Sequence, residues 1–172
     1  YGVFVISDEI HQDIVCEGST HVPSATAGDY DDMLVTLTAA TKTFNLAGLQ
    51  NSLIVIPDKT IRARFDAYLK KIRITPSNPM GYIAVEAAYR GGAAWAKECR
   101  RQIYENFELL RDTLAARAPK AVVSPLEGTY LMWVDLGAYV KAEEMKDFME
   151  RRCGLAVDYG EWFGGERFGT FI

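Results

Sequence analysis

Cysteine is scarce in this chain, and the few that occur form no recognisable pattern. Cys16, Cys99 and Cys153 are far apart, and no CxxC pair is present. An odd number of widely spaced cysteines argues against a disulfide framework and against a structural zinc site. Reduced thiols in a cytoplasmic protein are the simplest interpretation.

The chain also lacks a long apolar run and an excess of positive charge. No apolar stretch reaches the roughly 18 residues that a membrane-spanning helix needs. Lys and Arg number 19 against 23 Asp and Glu, which gives a net charge of −4. A mildly acidic chain has no electrostatic footprint for nucleic acid or for an anionic membrane surface. We therefore expect neither as a partner.

The overall composition is that of an ordinary globular protein. Of the 172 residues, 49% are hydrophobic and 24% are charged, which excludes a disordered chain and a collagen-like repeat. At about 150 residues per domain, we expect one domain or two small ones. The turn-forming cluster TPSNP at 75–79 is the strongest candidate boundary, and it divides the chain into residues 1–78 and 79–172.

The hydrophobic pattern predicts an α/β protein. Apolar runs at 3–6, 34–37 and 53–56 show no alternation, which is typical of strands buried on both faces of a helix-covered sheet. Helical spacing of apolar residues predicts helices over 60–71, 81–90, 93–116 and 142–152. Shorter apolar runs predict further strands at 122–123, 130–134, 155–157 and 170–172.

Two polar segments follow the first two predicted strands. SDEIH occupies 7–11, and TAATKTFN occupies 38–45. Ligands of an open α/β sheet bind outside the carboxyl ends of its strands. If these two strands are neighbours, Asp8 and Lys42 project into the same crevice.

An amine and a carboxylate in one crevice suit a particular chemistry. A desolvated lysine forms a Schiff base with an aldehyde, such as that of pyridoxal phosphate (PLP). A carboxylate can keep the ring nitrogen of PLP protonated, and the protonated ring then withdraws electrons from a substrate Cα. The hydroxyls of Thr38, Thr41 and Thr43 are candidates for holding the phosphate. Spacing alone leaves open that Asp8 is a turn residue and that Lys42 is a solvated loop lysine.

A metal-binding module is a further alternative. Its candidate ligands are Asp8, His11, Asp13, Cys16 and His21. This group mixes hard and soft ligands without a recognised spacing, so we expect no metal site. A folded but inactive scaffold is the remaining alternative.

The motifs VISDEIH at 5–11 and TKTFNLAGL at 41–49, taken together, resemble those of the PLP-dependent fold-type I enzymes of aminotransferase class I/II. Within that family they are most similar to the C–S lyases of the cystathionine β-lyase type. YRGGAAW, EGTYLMWVDL and FGTFI fit as well, so the resemblance covers essentially the whole chain. It implies that residues 1–78 belong to a large PLP-binding domain with a mostly parallel sheet, and that residues 79–172 form an α+β small domain. It also implies a homodimer.

The resemblance assigns a role to individual residues. It makes Lys42 the Schiff-base and proton-transfer lysine and Asp8 the partner of the ring nitrogen, and it places Thr41 at the phosphate, where the hydroxyl of Thr38 is a further candidate. His11 stands where many aminotransferases have a tyrosine that contacts the cofactor's phenolic oxygen, and DEIH favours the lyase branch. The substrate pocket is expected to include Asn45, Thr129 and Tyr130.

The activity that the resemblance implies is β-elimination from a sulfur amino acid such as cystathionine. The products are pyruvate, ammonia and a thiol, and transamination of an amino acid is the alternative. Gln50 stands where the aspartate aminotransferase members have an arginine for the phosphate. The family's N-terminal half, and the carboxylate-binding arginine beyond FGTFI, have no counterpart here. We therefore expect a fragment that is inactive alone.

Overall fold

The computed structural model describes residues 2–74 and 78–172. The chain packs into two compact units, which are described separately below. The first unit runs to Arg101 and includes Glu127–Thr129, and the second consists of Gln102–Leu126 and Tyr130–Ile172. Part of the predicted boundary cluster, at 75–77, lies outside the described residues, so the domain boundary near residue 78 stays a prediction.

The first unit contains a three-stranded sheet in the order β1-β2-β3. The strands are β1 (Val5–Asp8), β2 (Leu34–Thr38) and β3 (Leu53–Val55). β1 runs parallel to β2 with Asp8 opposite Leu37, whereas β3 runs antiparallel to β2. Because β1 and β2 are parallel neighbours, their carboxyl ends meet at one edge of the sheet.

The first and third strands are more exposed than the sequence pattern predicts. Ile6 is 68% exposed and Val55 is 51% exposed, while Leu34 on the central strand is 2% exposed. The prediction that all three runs are buried on both faces is therefore wrong for β1 and β3 in this chain. Continuous apolar runs indicate strands whose two faces are suited to packing against other elements. Among the described residues, no other element buries the faces of β1 and β3.

Three long helices begin and end close to their predicted positions. They are α1 (Lys59–Lys71), α2 (Pro79–Gly91) and α3 (Ala93–Arg117). The carboxylate of Asp58 caps α1 by accepting a hydrogen bond from Ile61 N at 2.7 Å. The side chain of Asn78 caps α2 by accepting from Gly81 N at 2.8 Å. This cap and the following Pro79 start α2 two residues earlier than its apolar spacing predicts. None of the helices among residues 2–74 and 78–172 is long and apolar enough to cross a membrane.

The second unit has a small sheet and a core of its own. β4 (Val122–Val123) pairs antiparallel with β5 (Val134–Asp135), and Phe171 forms an isolated bridge with Asp135. The predicted strand at 130–134 is reduced to Val134, and the predicted strand at 155–157 is wrong. Residues 170–172 form only that bridge, although Ile172 exchanges two backbone hydrogen bonds with Val134. The core residues are Val140, Met145, Met149 and Tyr159.

The predicted helix over 142–152 is present but irregular. It consists of a 3-10 turn at Ala142–Glu144, an α turn at Met145–Asp147 and a π turn at Phe148–Arg152. Shorter helical turns occur at Ser24–Thr26, Ala47–Leu49, Glu161–Gly164 and Gly165–Phe168. This unit also holds an apolar cavity of about 1240 Å³, whose lining includes Leu110, Leu131 and Phe148.

Candidate active site

The candidate site lies where β1 and β2 end. Beyond Asp8, the ladder continues for one more bond, because Glu9 N donates to Leu37 O at 2.8 Å. On the neighbouring strand, the chain passes through buried Ala40 and then reaches Lys42, which is exposed between buried neighbours Thr41 and Thr43. The threonines anchor this segment in the protein interior and leave the amine outside it.

His11 lies within electrostatic range of both Asp8 and Lys42. Burial lowers the pKa of His11, the positive charge of Lys42 lowers it further, and the negative charge of Asp8 opposes both effects. Both strand ends therefore act on one imidazole ring. The expectation that Asp8 and Lys42 share a crevice is consistent with this electrostatic coupling.

A tight turn places His11 between the two strand ends. Ile10 N donates to Asp8 Oδ1 at 3.2 Å, an Asx turn that also restrains the carboxylate. Gln12 N donates to Glu9 O at 3.0 Å, and Ile14 N donates to His11 O at 2.9 Å. The backbone thus reverses direction immediately after the strand and brings His11 towards the lysine segment.

Two side-chain hydrogen bonds join this turn to the segment that carries Lys42. Gln12 Nε2 donates to Thr38 Oγ1 at 2.9 Å, and Thr43 Oγ1 donates to Asp13 Oδ2 at 3.2 Å. Thr38 accepts in its bond, so its own hydroxyl proton can be donated to another acceptor, and a phosphate oxygen is chemically suited to that role. Thr43 has already given its proton to a carboxylate. Of these two hydroxyls, Thr38 is therefore the better phosphate donor.

Phe44 anchors the lysine segment to the helices. Its ring meets Tyr89 edge-on with centroids 5.7 Å apart, and it lies 5.8 Å from the ring of Trp95. Gly92, between α2 and α3, leaves the space that the Phe44 ring fills. Because Phe44 is two residues from Lys42, this packing restrains the backbone that presents the amine.

The three predicted substrate-pocket residues lie in different surroundings. Asn45 is exposed and adopts a left-handed backbone with φ 55°. Thr129 has φ 66°, and its backbone N donates to Ile14 O at 2.7 Å within the first unit. Tyr130 belongs to the second unit and is 43% exposed. Their contacts with a substrate stay a prediction.

The candidate metal ligands have other partners. Among residues 2–74 and 78–172, no group of three or more His, Cys, Asp or Glu side chains is placed to hold a metal ion. Asp13 accepts from Thr43, His21 contacts Glu9 at 3.1 Å, and burial raises the pKa of the Cys16 thiol. The metal-binding alternative therefore has no support in the described part of the chain.

Sequence reasoning missed Glu9, which is only 5% exposed. Burial by itself would raise the pKa of this carboxyl, but hydrogen bonds from Ser24 N, His21 and Ser7 outweigh burial and lower the pKa to about 2. The strand pattern contained a signal, because Glu9 directly follows β1 and lies two residues after Ser7, the spacing that places side chains on one face of a strand. Gln12 and Phe44 were also missed, since neither carries chemistry of its own.

The donor set at the strand ends fits pyridoxal phosphate. The amine of Lys42 and the carboxylate of Asp8 both act on the partly buried imidazole of His11, and the Thr38 hydroxyl accepts from Gln12. A primary amine binds an aldehyde, a carboxylate pairs with a pyridinium, and hydroxyls bind phosphate. Asp8, His11, Thr38, Thr41 and Lys42 are thus chemically suited to the cofactor that the sequence motifs imply.

Comparison with known proteins gives a consistent family. The family model described as aminotransferase class I and II matches residues 1–169. Cystathionine beta-lyase PatB of Bacillus subtilis (strain 168) is 37% identical over 172 residues, which cover 98% of this chain and 44% of that protein. The chain therefore spans less than half the length of this relative.

Solved structures show the same likeness. Cystalysin from Treponema denticola, which contains a pyridoxal 5'-phosphate cofactor, matches with a TM-score of 0.92 and 31% identity over 98% of this chain and 43% of that one. A PLP-bound C–S lyase from Staphylococcus hominis complexed with L-cycloserine matches with a TM-score of 0.87 and 34% identity over 99% of this chain and 41% of that one. The predicted fold class is confirmed, and the chain belongs to the class I and II aminotransferase family.

Proposed function

We propose that the native protein carrying this chain is a PLP-dependent C–S β-lyase that acts on a sulfur amino acid such as cystathionine. The observation that carries the proposal is the parallel pairing of β1 with β2, which brings the strand end that carries Asp8 and the strand end that leads to Lys42 to one edge of the sheet. The relatives support the choice of reaction, since PatB is named a cystathionine β-lyase and the protein from Staphylococcus hominis is a C–S lyase.

The cofactor would be held by residues of the first unit. PLP, when bound, supplies an electron-withdrawing ring that stabilises negative charge at the substrate Cα. The Asp8 carboxylate accepts the hydrogen bond of the ring-nitrogen proton and keeps that proton in place. Thr38 and Thr41 would donate to the phosphate, and His11 and the Lys42 amine would also contact the bound cofactor.

Lys42 would also transfer a proton. Its Nζ would take the proton from the substrate Cα, acting as a general base. The overall reaction would convert a sulfur amino acid and water into a thiol, pyruvate and ammonia, with the sulfur taking the electron pair of its bond to Cβ together with a proton.

Membership of the family supports the proposed oligomeric state, and the cysteines support the proposed cellular location. We assign the native protein to a homodimer, the usual state of this family, and to the cytoplasm, where its three free cysteines stay reduced. The proposed domain division near residue 78 separates a cofactor-binding part from a smaller α+β part. The amino-acid substrate follows from the family.

Borohydride trapping tests the assignment of Lys42. The native protein is incubated with PLP, reduced with borohydride and mapped by peptide mass spectrometry. We expect the label on Lys42, its loss in Lys42→Ala, and its retention in the control variant Lys59→Ala, because Lys59 is an exposed helix residue. A label on any other lysine overturns the assignment.

A second assay separates the lyase from an aminotransferase. Cystathionine is supplied without any keto acid, and pyruvate is measured. We expect pyruvate to form, since β-elimination needs no amino acceptor. Turnover that requires a keto-acid acceptor would identify an aminotransferase and would contradict the lyase proposal.

A further inference from the structure

A buried carboxylate directly follows Asp8 and organises the chain on both sides of it. Glu9 Oε1 accepts hydrogen bonds from Ser7 Oγ at 3.0 Å and from Ser24 N at 2.9 Å. Glu9 Oε2 lies 3.1 Å from His21 Nε2. An ionised carboxylate only accepts, so His21 donates through Nε2. We call Ser7, Glu9, His21 and Ser24 the Glu9 network.

The Glu9 network determines which way Asp8 points. Side chains alternate along a strand, so Ser7 and Glu9 share one face while Asp8 projects from the other. The bond between Ser7 and Glu9 closes over the first face, and the bond from Glu9 N to Leu37 O fixes the backbone at the strand end. Asp8 therefore lies between two residues that are restrained by both their side chains and their backbone.

The network also fastens a loop to the strand. His21 and Ser24 reach Glu9 from a later segment, and Ser24 Oγ lies 2.7 Å from Ser7 Oγ. Removing the acceptor would leave the N–H groups of Ser24 and His21 without their partner in a partly buried place, which costs free energy unless the loop moves away. Movement of the loop would release the strand end that carries Asp8.

We infer that Glu9 is a positioning residue that holds the Asp8 carboxylate in line with the ring nitrogen of the cofactor. This inference rests on the proposed function, because it needs PLP to occupy the site. Glu9 acts through hydrogen bonds and not through contact with the cofactor. Its loss should therefore weaken the Asp8 interaction while leaving the Lys42 amine in place.

The test measures the ring nitrogen directly. PLP labelled with ¹⁵N at the ring is bound to the native protein, and its NMR shift is followed against pH in wild type, Glu9→Met and Glu9→Gln. Met has a similar length but no acceptor. Gln keeps one acceptor for Ser24 N and an N–H for His21, which can accept from it after a change of tautomer.

We expect Glu9→Met to lower the pH at which the ring nitrogen loses its proton by about one unit, a tenfold change. Glu9→Gln should recover most of that change, because geometry is restored although the charge is not. The control Glu17→Met, at an exposed position of the same unit, should leave the titration unchanged. A Glu9→Met protein that titrates like wild type overturns the inference, as does an equal shift in Met and Gln, which would indicate a plain charge effect.

A further variant and a further measurement distinguish failure of the inference about Glu9 from failure of the proposed function. If Glu9→Met does not fold, Ser7→Ala replaces it, since it removes one donor to Glu9 and should give a smaller shift in the same direction. An unshifted titration in Ser7→Ala then overturns the inference. Borohydride labelling of Lys42 is measured in every variant. Labelling at Lys42 with no shift refutes the role of Glu9 alone, whereas wild type without label at Lys42 refutes the proposed function as well.

Discussion

Two adjacent glycines between α2 and α3 should respond in opposite directions to the same substitution. A Cβ placed on Gly92 would overlap the Phe44 ring at Cε1 and would lie 2.5 Å from the carbonyl oxygen of Ala88. A Cβ on Gly91 would meet nothing within 4 Å. The pair is therefore a matched test of whether Phe44 is seated against this junction.

The expected magnitudes follow from packing and from helix propensity. Gly91 is the last residue of α2, so Gly91→Ala should raise the free energy of unfolding by up to about 1 kcal/mol. Gly92→Ala forces the Phe44 ring out of its place, and overpacking of this kind costs about 1–3 kcal/mol. Loss of the contacts with Tyr89 and Trp95 adds about 0.5–1.5 kcal/mol for each aromatic pair.

Urea unfolding, followed by far-UV circular dichroism and tryptophan fluorescence, measures both variants. We expect the midpoint to rise in Gly91→Ala and to fall in Gly92→Ala, and we expect Phe44→Leu to restore part of the loss when combined with Gly92→Ala. Borohydride labelling of Lys42 should decrease in Gly92→Ala, since the backbone of the lysine segment shifts. Equal stability of the two alanine variants would refute the packing of Phe44 against Gly92.

Two other predictions concern acid stability and association. The pKa of Glu9 lies at about 2 in the folded chain against an ordinary value of 4.5, so its ionised form should contribute about 3 kcal/mol to the free energy of unfolding above pH 4.5. This contribution should be lost as the pH falls from 4.5 to 2. In Glu9→Gln, the free energy of unfolding should change less over that pH range. The exposed apolar residues of β1 and β3 should make the 172-residue chain self-associate and bind PLP weakly or not at all. A monodisperse 19.2 kDa monomer that binds PLP stoichiometrically in light-scattering and titration experiments would contradict this second expectation.

The pattern of the sequence predicts the long elements well because they depend on local periodicity. α3 ends only one residue beyond its predicted end, because periodic spacing of apolar residues along a helix of 25 residues is a strong signal. The short runs at 130–133 and 155–157 were misassigned, because periodicity cannot tell a pairing strand from an extended segment of the same length. The exposure of β1 and β3 also cannot be predicted from a local pattern, because burial depends on what packs against a strand.

In the candidate site, too, some residues can be identified from local sequence patterns and others cannot. Asp8 and Lys42 are identifiable because each follows an apolar run, and their shared edge needs only the assumption that β1 and β2 are neighbours. The residues that hold them are harder to find from sequence. Gln12 meets Thr38 and Phe44 meets Tyr89 across long stretches of chain, and such pairings are set by tertiary structure.

The parallel pairing of β1 with β2 has a consequence for how the first unit folds. Parallel neighbours cannot be joined by a tight hairpin, so a long connection must close before Asp8 reaches Leu37. The loop closure costs conformational entropy before any ladder bond compensates for it. The bonds from Ser24 N and His21 to Glu9 divide this connection into shorter loops. If these bonds form before the ladder between β1 and β2, they shorten the loops that the sheet must close.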